Sequence, residues 1–124
     1  MKILCVDDTK SVHAFMRTLF ATSSHALTAV FDGQQALDEL SKSDFKGYDL
    51  VLLDLEMPLK NGLDTVKEIR KRTNILPVIM VTSINDSREI AKLLDAGANE
   101  YVMKPFTKDI LFEKISQVIG QEVI

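Results

Sequence analysis

The sequence predicts an α/β fold in which a five-stranded parallel sheet carries helices on both faces. Short apolar runs typical of strands alternate five times with segments of helical periodicity. In addition, the run Leu50–Leu53 is apolar without alternation, which is typical of a strand covered on both faces in the middle of a parallel sheet. Because connections between parallel strands are right-handed, this (βα)5 pattern is expected to form a doubly wound sheet.

The first half of the chain begins with a predicted strand over 2–6 and a helix over 9–21. The helix is predicted from one apolar stripe at the spacing i, i+3, i+4, i+7, i+8, formed by Val12, Phe15, Met16, Leu19 and Phe20. A second strand is predicted over 26–31. Asp32-Gly33 then turns the chain into a second helix, whose inward residues are Ala36, Leu37 and Leu40.

The third helix is predicted over 62–72, with Leu63, Val66 and Ile69 inward, and it ends before Pro77. A fourth strand over 78–81 follows. The fourth helix is expected to begin at Asp86 with Glu89 completing a capping box.

The fourth helix is further expected to bury Ile90, Leu93 and Leu94 and to end at Ala96-Gly97. A short fifth strand over 100–103 comes next. The last helix is predicted after the capping residue Thr107, with Leu111, Ile115, Val118 and Ile119 inward.

Composition excludes several classes of function. The 124 residues, 46% of them hydrophobic, suit one compact domain over 1–124. A net charge of −3 with interspersed signs argues against direct binding of nucleic acid. The chain has no recognisable signal peptide and no apolar stretch near the roughly 18 residues of a membrane span, so we expect a cytoplasmic protein without a membrane partner. Its one cysteine, Cys5, is predicted to be a buried core residue.

Polar side chains stand where four of the predicted strands end. They are Asp7-Asp8, Asp54, Thr82 and Lys104. The carboxyl ends of parallel strands meet at one edge of a sheet, where ligands of such folds bind. Three carboxylates, a hydroxyl and an ammonium group in one cleft would suit a divalent cation and a phosphoryl group.

Each of these residues also has a purely structural interpretation. Asp7 and Asp8 could cap the first helix, Thr82 could be a turn hydroxyl, and Lys104 could be a solvated lysine. The aspartate pair in register with Asp54 favours metal binding.

Segments spread along the chain carry a family resemblance. They are Val6-Asp7-Asp8, Asp49 to Asp54 with Met57-Pro58 and Asn61-Gly62, Val81-Thr82-Ser83, Ala96-Gly97-Ala98, Glu100-Tyr101 and Lys104-Pro105-Phe106. In this order and spacing the chain resembles the receiver domains of two-component response regulators, and in size the stand-alone chemotaxis type. The resemblance covers essentially the whole chain and implies the strand order 2-1-3-4-5.

The resemblance implies that Asp54 accepts a phosphoryl group from the phosphohistidine of a sensor histidine kinase or phosphotransfer protein. It implies a cation site for Mg²⁺, with Mn²⁺ as an alternative, made by Asp7, Asp8, Asp54 and the backbone carbonyl of Glu56. The protein would catalyse only its own phosphorylation and slow dephosphorylation, so it is not expected to be an enzyme in the ordinary sense.

The resemblance further implies that Thr82 and Lys104 stabilise the transferring phosphoryl group and that Thr82 and Tyr101 form the switch. The switch would alter the surface of helix four, strand five and helix five for a downstream protein or a second copy, without an output domain of its own. The family also implies a cis bond between Lys104 and Pro105. Glu56 and Ile84 are expected to tune the lifetime of the phosphorylated state, with the sign left open.

Two other functions are weighed against this one. A degenerate receiver would bind partners without phosphorylation, but the full acidic set argues against it. An aspartate-dependent phosphohydrolase would need a D-x-D spacing on the first strand, which Asp7-Asp8 lacks.

The remaining notable side chains are assigned ordinary roles. His13 and His25 are predicted to be surface or boundary residues, and the five methionines core residues. Phe112 and the apolar tail Val123-Ile124 suggest a contact surface on the last helix.

Overall fold

A computed structural model describes residues 1–120 and shows five parallel strands alternating with five helices. The strands are β1 (Lys2–Val6), β2 (Ala26–Val30), β3 (Leu50–Asp54), β4 (Val78–Thr82) and β5 (Glu100–Met103). The helices are α1 (Lys10–Phe20), α2 (Gly33–Ser41), α3 (Gly62–Arg72), α4 (Ser87–Asp95) and α5 (Lys108–Ile119). The sheet order is β2-β1-β3-β4-β5, so the predicted fold class and strand order are confirmed.

Strand register places the ends of four neighbouring strands, β1, β3, β4 and β5, side by side. Val6 pairs with Leu53 between β1 and β3, Asp54 pairs with Val81 between β3 and β4, and Thr82 pairs with Met103 between β4 and β5. The residues that end or directly follow these strands therefore lie at one edge of the sheet.

The sheet separates two hydrophobic cores because alternate residues of each strand face opposite sides. On β1, Leu4 and Val6 face the core shared with α2, α3 and α4, whereas Ile3 and Cys5 face the core shared with α1 and α5. Every residue of β3 is buried, as predicted for a central strand. The Cys5 thiol is 2% exposed, and burial raises its pKa to about 12.

Four helices begin with a side chain that accepts a hydrogen bond from the first turn. These residues are Asp32 of α2, Asn61 of α3, Asp86 of α4 and Thr107 of α5. Such caps satisfy backbone donors that have no partner within the helix. In α1 the equivalent residue, Thr9, makes no side-chain cap.

Three predictions about the helices are wrong because they assign more contacts to a side chain than the structure shows. Glu89 does not complete a capping box, because its Oε1 accepts from Lys92 Nζ at 3.1 Å instead. Leu94 and Phe15 were expected to be inward but are 38% and 43% exposed. Leu93 is the buried residue of α4, so this helix rests on the sheet by a narrower stripe than its apolar residues suggest.

Two other side chains are more buried than the sequence predicts. His13 was assigned to the surface or boundary, yet it is 3% exposed with its ring 4.6 Å from that of Phe31. Phe112 is 7% exposed because it stacks on Phe20 across α1 and α5, with ring centroids 5.0 Å apart. Phe112 is therefore a core residue rather than part of a contact surface, and Val123-Ile124 lie outside the described residues.

The loop between β3 and α3 folds back tightly on the strand end at Gly62. A Cβ atom there would lie 2.3 Å from the carbonyl oxygen of Asp54 and 2.8 Å from the Cα of Leu55. We expect Gly62→Ala to lower the free energy of unfolding by about 3 kcal/mol, because backbone atoms cannot rotate away as a side chain could. Urea denaturation measures this loss.

Gly120→Ala is the matched control for the Gly62 substitution. Gly120 has a positive φ of 81°, but a Cβ there would meet nothing within 4 Å. Only conformational strain of about 1 kcal/mol is expected at that position. Equal losses for the two variants would contradict the close approach at Gly62.

Candidate functional site

Three carboxylates gather at the carboxyl ends of β1 and β3. Asp7, Asp8 and Asp54 each offer an oxygen atom, and these atoms lie within 4.8 Å of one another. Asp7 and Asp54 are buried, whereas Asp8 is exposed and gives the cluster access to solvent. A cluster of this kind could hold a metal ion.

Lys104, which follows β5, supplies a positive charge to the cluster. Its Nζ lies 2.9 Å from Asp7 Oδ2 and 3.4 Å from Asp54 Oδ1. Its backbone N–H donates to the carbonyl oxygen of Thr82 at 2.8 Å, and its peptide bond to Pro105 is cis. The structure thus brings together the four charged residues that the strand ends predicted, and Lys104 is not a solvated lysine.

Ionisation of the Asp54 carboxyl is unfavourable without a bound cation. Burial, which Lys104 opposes and the negative charge of Asp7 reinforces, raises the pKa of this carboxyl from 3.8 to about 6. A carboxylate that is costly to ionise gains from any added positive charge. Cation binding at this cluster should therefore be coupled to ionisation of Asp54.

Asp7 is stabilised as an anion by its neighbours. Burial would raise the pKa of Asp7, but hydrogen bonds from Thr9 and Lys104 outweigh it and hold the pKa below its ordinary value. Burial likewise would lower the pKa of Lys104, yet Asp7 and Asp54 raise it. Lys104 and Asp7 are therefore a charged pair at neutral pH.

Thr82 ends β4 at the same edge of the sheet. It is 1% exposed, and its Oγ1 accepts a hydrogen bond from the backbone N–H of Ile84 at 3.1 Å. The turn interpretation of Thr82 is thus correct as local structure. Because the Thr82 oxygen is the acceptor in this hydrogen bond, its hydroxyl proton can be donated to a second partner.

The other residues named from the sequence lie in the loops after β3 and β4 and in β5. Glu56 is exposed and Ile84 half-buried, in the loops after β3 and β4. Tyr101 is a half-buried residue of β5 whose ring lies 5.7 Å from Lys114 Nζ. Thr9, directly after the aspartate pair, was not singled out from the sequence, although a hydroxyl two residues after a carboxylate is a recognisable turn signal.

The match to known proteins agrees with this geometry. Residues 3–116 match the family described as the response regulator receiver domain. The chain belongs to this family. Receiver domains are signalling phosphoacceptors rather than ordinary enzymes, and the pocket formed by the three aspartates and Lys104 is consistent with an aspartate phosphorylation switch.

Individual relatives support the assignment. A chemotaxis protein CheY homologue of Campylobacter jejuni is 34% identical over 123 residues, covering 97% of this chain and 93% of the relative. The transcriptional regulatory protein CpxR of Escherichia coli is 37% identical over 118 residues, which are 95% of this chain but 49% of CpxR. The receiver domain of Francisella response regulator 1452 has a similar structure, with a TM-score of 0.83, 31% identity and 96% of both chains covered.

Membership of this family implies a histidine kinase as partner. Within residues 1–120, no helix combines the length and the apolar character that crossing a membrane requires.

Proposed function

We propose that this receiver domain is a signalling switch that takes a phosphoryl group onto Asp54 from a phosphohistidine in a Mg²⁺-dependent reaction. The donor is a sensor histidine kinase or a phosphotransfer protein. The observation that carries the proposal is the buried Asp54 carboxylate beside Lys104, with two further aspartates in reach of one cation.

The reaction transfers the phosphoryl group between two nucleophiles. A carboxylate oxygen of Asp54 forms a bond to phosphorus while the bond from phosphorus to the histidine nitrogen breaks, and the electron pair of that bond stays with the imidazole. Charge spreads over the equatorial phosphoryl oxygens in the transition state. Lys104 Nζ, 3.4 Å from Asp54 Oδ1, is placed to stabilise that charge.

Thr82 adds a hydrogen-bond donor. Since its oxygen already accepts from the Ile84 N–H, its hydroxyl proton is directed to another acceptor, and we assign that acceptor as a phosphoryl oxygen. A hydrogen bond from Thr82 to the phosphoryl group would move its hydroxyl, and the loop after β4 would move with it through the Ile84 N–H. This connects phosphorylation to α4.

The oxygen-only cluster fits Mg²⁺, which keeps several waters and binds through one or two carboxylates together with phosphate oxygens. We assign Asp8 and Asp54 as direct ligands, the backbone carbonyl of Glu56 as a further ligand, and Asp7 as a contributor mostly through water. Mn²⁺ would be accepted by the same set. The cation supplies positive charge that neutralises the phosphoryl oxygens.

Phosphorylation would shift a two-state equilibrium of Thr82, Tyr101 and the surface of α4, β5 and α5. That surface would then bind a downstream protein or a second copy of the chain. We place this switch in the cytoplasm. Glu56 and Ile84 lie on the loops next to the site, and we assign them to control of the acyl phosphate lifetime.

Intact-protein mass spectrometry after incubation with acetyl phosphate tests the proposal. The wild type should gain a single phosphoryl group only with Mg²⁺, whereas Asp54→Asn should gain none because the amide is not a nucleophile here. Asp64→Asn, which changes an exposed aspartate on α3, is the control and should label as the wild type does.

Labelling of Asp54→Asn at the wild-type rate would refute the assignment of Asp54 as the nucleophile. An unlabelled wild type, under conditions that label a known receiver, would instead favour a phosphorylation-independent binding module.

A further inference from the structure

The hydroxyl of Thr9 is directed away from the helix that it precedes. Thr9 occupies the N-cap position of α1, where a threonine ordinarily accepts a hydrogen bond from the first turn. Thr107 does so at the start of α5, where its Oγ1 accepts from the Ile110 N–H at 3.2 Å. Thr9 makes no such cap, so its hydroxyl serves another group.

That group is the carboxylate of Asp7. Thr9 Oγ1 donates to Asp7 Oδ1 at 2.6 Å, and the Thr9 backbone N–H donates to the same oxygen at 2.9 Å. The other oxygen, Oδ2, accepts from Lys104 Nζ at 2.9 Å. Both oxygens of Asp7 are therefore held, and the plane of its carboxylate is defined by three hydrogen bonds.

We propose that Thr9 is a positioning residue for the cation site, acting through Asp7. This inference rests on the proposed function, in which Asp8 and Asp54 would bind Mg²⁺ directly and Asp7 would hold it mostly through a coordinated water. Mg²⁺ demands nearly ideal octahedral geometry, and its coordinated waters must be placed as well as its ligands. An aspartate that must first rotate holds such a water less well than one already oriented. Thr9 itself touches neither the cation nor the phosphoryl group.

Because Thr9 is at the surface, an experiment can distinguish its effect on cation binding from an effect on folding stability. Thr9 is exposed, so replacing it removes no core packing. Hydrogen-bonded groups around the direct ligands typically contribute about 10–100-fold to metal affinity, and we expect the lower end for Thr9 because Asp7 acts mostly through water. A local turn or cap, by contrast, contributes to folding stability without changing metal affinity.

Isothermal titration of the full chain with Mg²⁺ alone tests the proposal, with thermal unfolding in the absence of Mg²⁺ measured in parallel. Thr9→Val, which keeps the shape and removes the hydroxyl, should bind Mg²⁺ about tenfold more weakly than the wild type. Thr9→Ser restores the donor and should bind within about twofold of the wild type. Thr107→Val removes a true helix cap and should lower the melting temperature while leaving Mg²⁺ affinity unchanged.

Other outcomes overturn the proposal. If Thr9→Val bound Mg²⁺ as tightly as the wild type, or more tightly, Thr9 would stabilise only the local turn. A weakened Thr9→Ser variant would show that the hydroxyl is not the determinant. Failure of the wild type itself to bind Mg²⁺ would overturn the cation site of the proposed function together with this inference, whereas normal wild-type binding with an unaffected Thr9→Val would overturn this inference alone.

Discussion

Asp54→Asn is expected to stabilise the Mg²⁺-free protein at neutral pH, although it removes the proposed phosphorylation site. The pKa of Asp54 is raised from 3.8 to about 6, chiefly by burial. A shift of that size corresponds to about 3 kcal/mol. Asparagine resembles the protonated carboxyl in shape and charge, so the variant should gain about 1–3 kcal/mol of unfolding free energy at pH 7.5.

The gain must depend on pH in one direction. A carboxyl whose pKa is higher in the folded protein than in the unfolded chain favours folding fully below the unfolded value, and this contribution is lost as the pH rises through the folded value. The window for Asp54 runs from 3.8 to about 6. The advantage of Asp54→Asn should therefore be small at pH 4 and complete above about pH 7.

Urea denaturation at pH 4.5 and 7.5, without divalent cations, measures this difference. Asp8→Asn is the matched comparison, because it removes a charge from the same cluster at an exposed position and should gain much less. Adding Mg²⁺ should stabilise the wild type more than Asp54→Asn, since the cation relieves the same repulsion. Equal stability of wild type and Asp54→Asn at pH 7.5 would show that the Asp54 carboxylate is not destabilised.

The location of the site could be predicted from the sequence because parallel topology leaves little freedom. Once Leu50–Leu53 is recognised as a central parallel strand, Asp54 at its end must lie at the same edge of the sheet as Asp7. Lys104 directly follows β5, which lies two strands from β3 and three from β1, and its long side chain reaches the carboxylates of both Asp54 and Asp7. The strand ends therefore predicted the place of Lys104 in the cleft, whereas its role toward a phosphoryl group came from the resemblance to receiver domains.

Side-chain environment could be predicted less well where it depends on neighbours far away in the sequence. His13 is a polar residue on an amphipathic helix, and its burial follows from its contact with Phe31, which local periodicity does not encode. Phe112 is buried for the same kind of reason, by Phe20. The direction of the Thr9 hydroxyl depends on a choice between a helix N–H and a carboxylate, and only the structure shows which partner it takes.

Lys104→Met is expected to have the opposite effect to Asp54→Asn and a larger one. The ammonium group pairs with two carboxylates, and its side chain is only 25% exposed. Removing one partner of a buried ion pair leaves uncompensated charge and typically costs about 3–5 kcal/mol. We expect the unfolding free energy at pH 7.5 to fall by about 3 kcal/mol, near the lower end because the site retains contact with solvent.

Lys42→Met is the control for this loss. Lys42 pairs with Glu39 at 3.0 Å, but its side chain is 74% exposed, so its removal should change stability little. Mg²⁺ should stabilise Lys104→Met more than it stabilises the wild type, because the cation replaces the missing positive charge. A loss no greater than that of Lys42→Met would mean that solvent already screens the pair.

The double variant Asp54→Asn/Lys104→Met distinguishes charge compensation from simple loss of packing. If Lys104 matters chiefly because it offsets buried carboxylates, neutralising Asp54 should reduce the destabilisation caused by Lys104→Met by about 1 kcal/mol or more. Asp7 still carries its charge in that background, so part of the loss should remain. Strict additivity of the two single effects would contradict the coupling that the 3.4 Å contact between Lys104 Nζ and Asp54 Oδ1 implies.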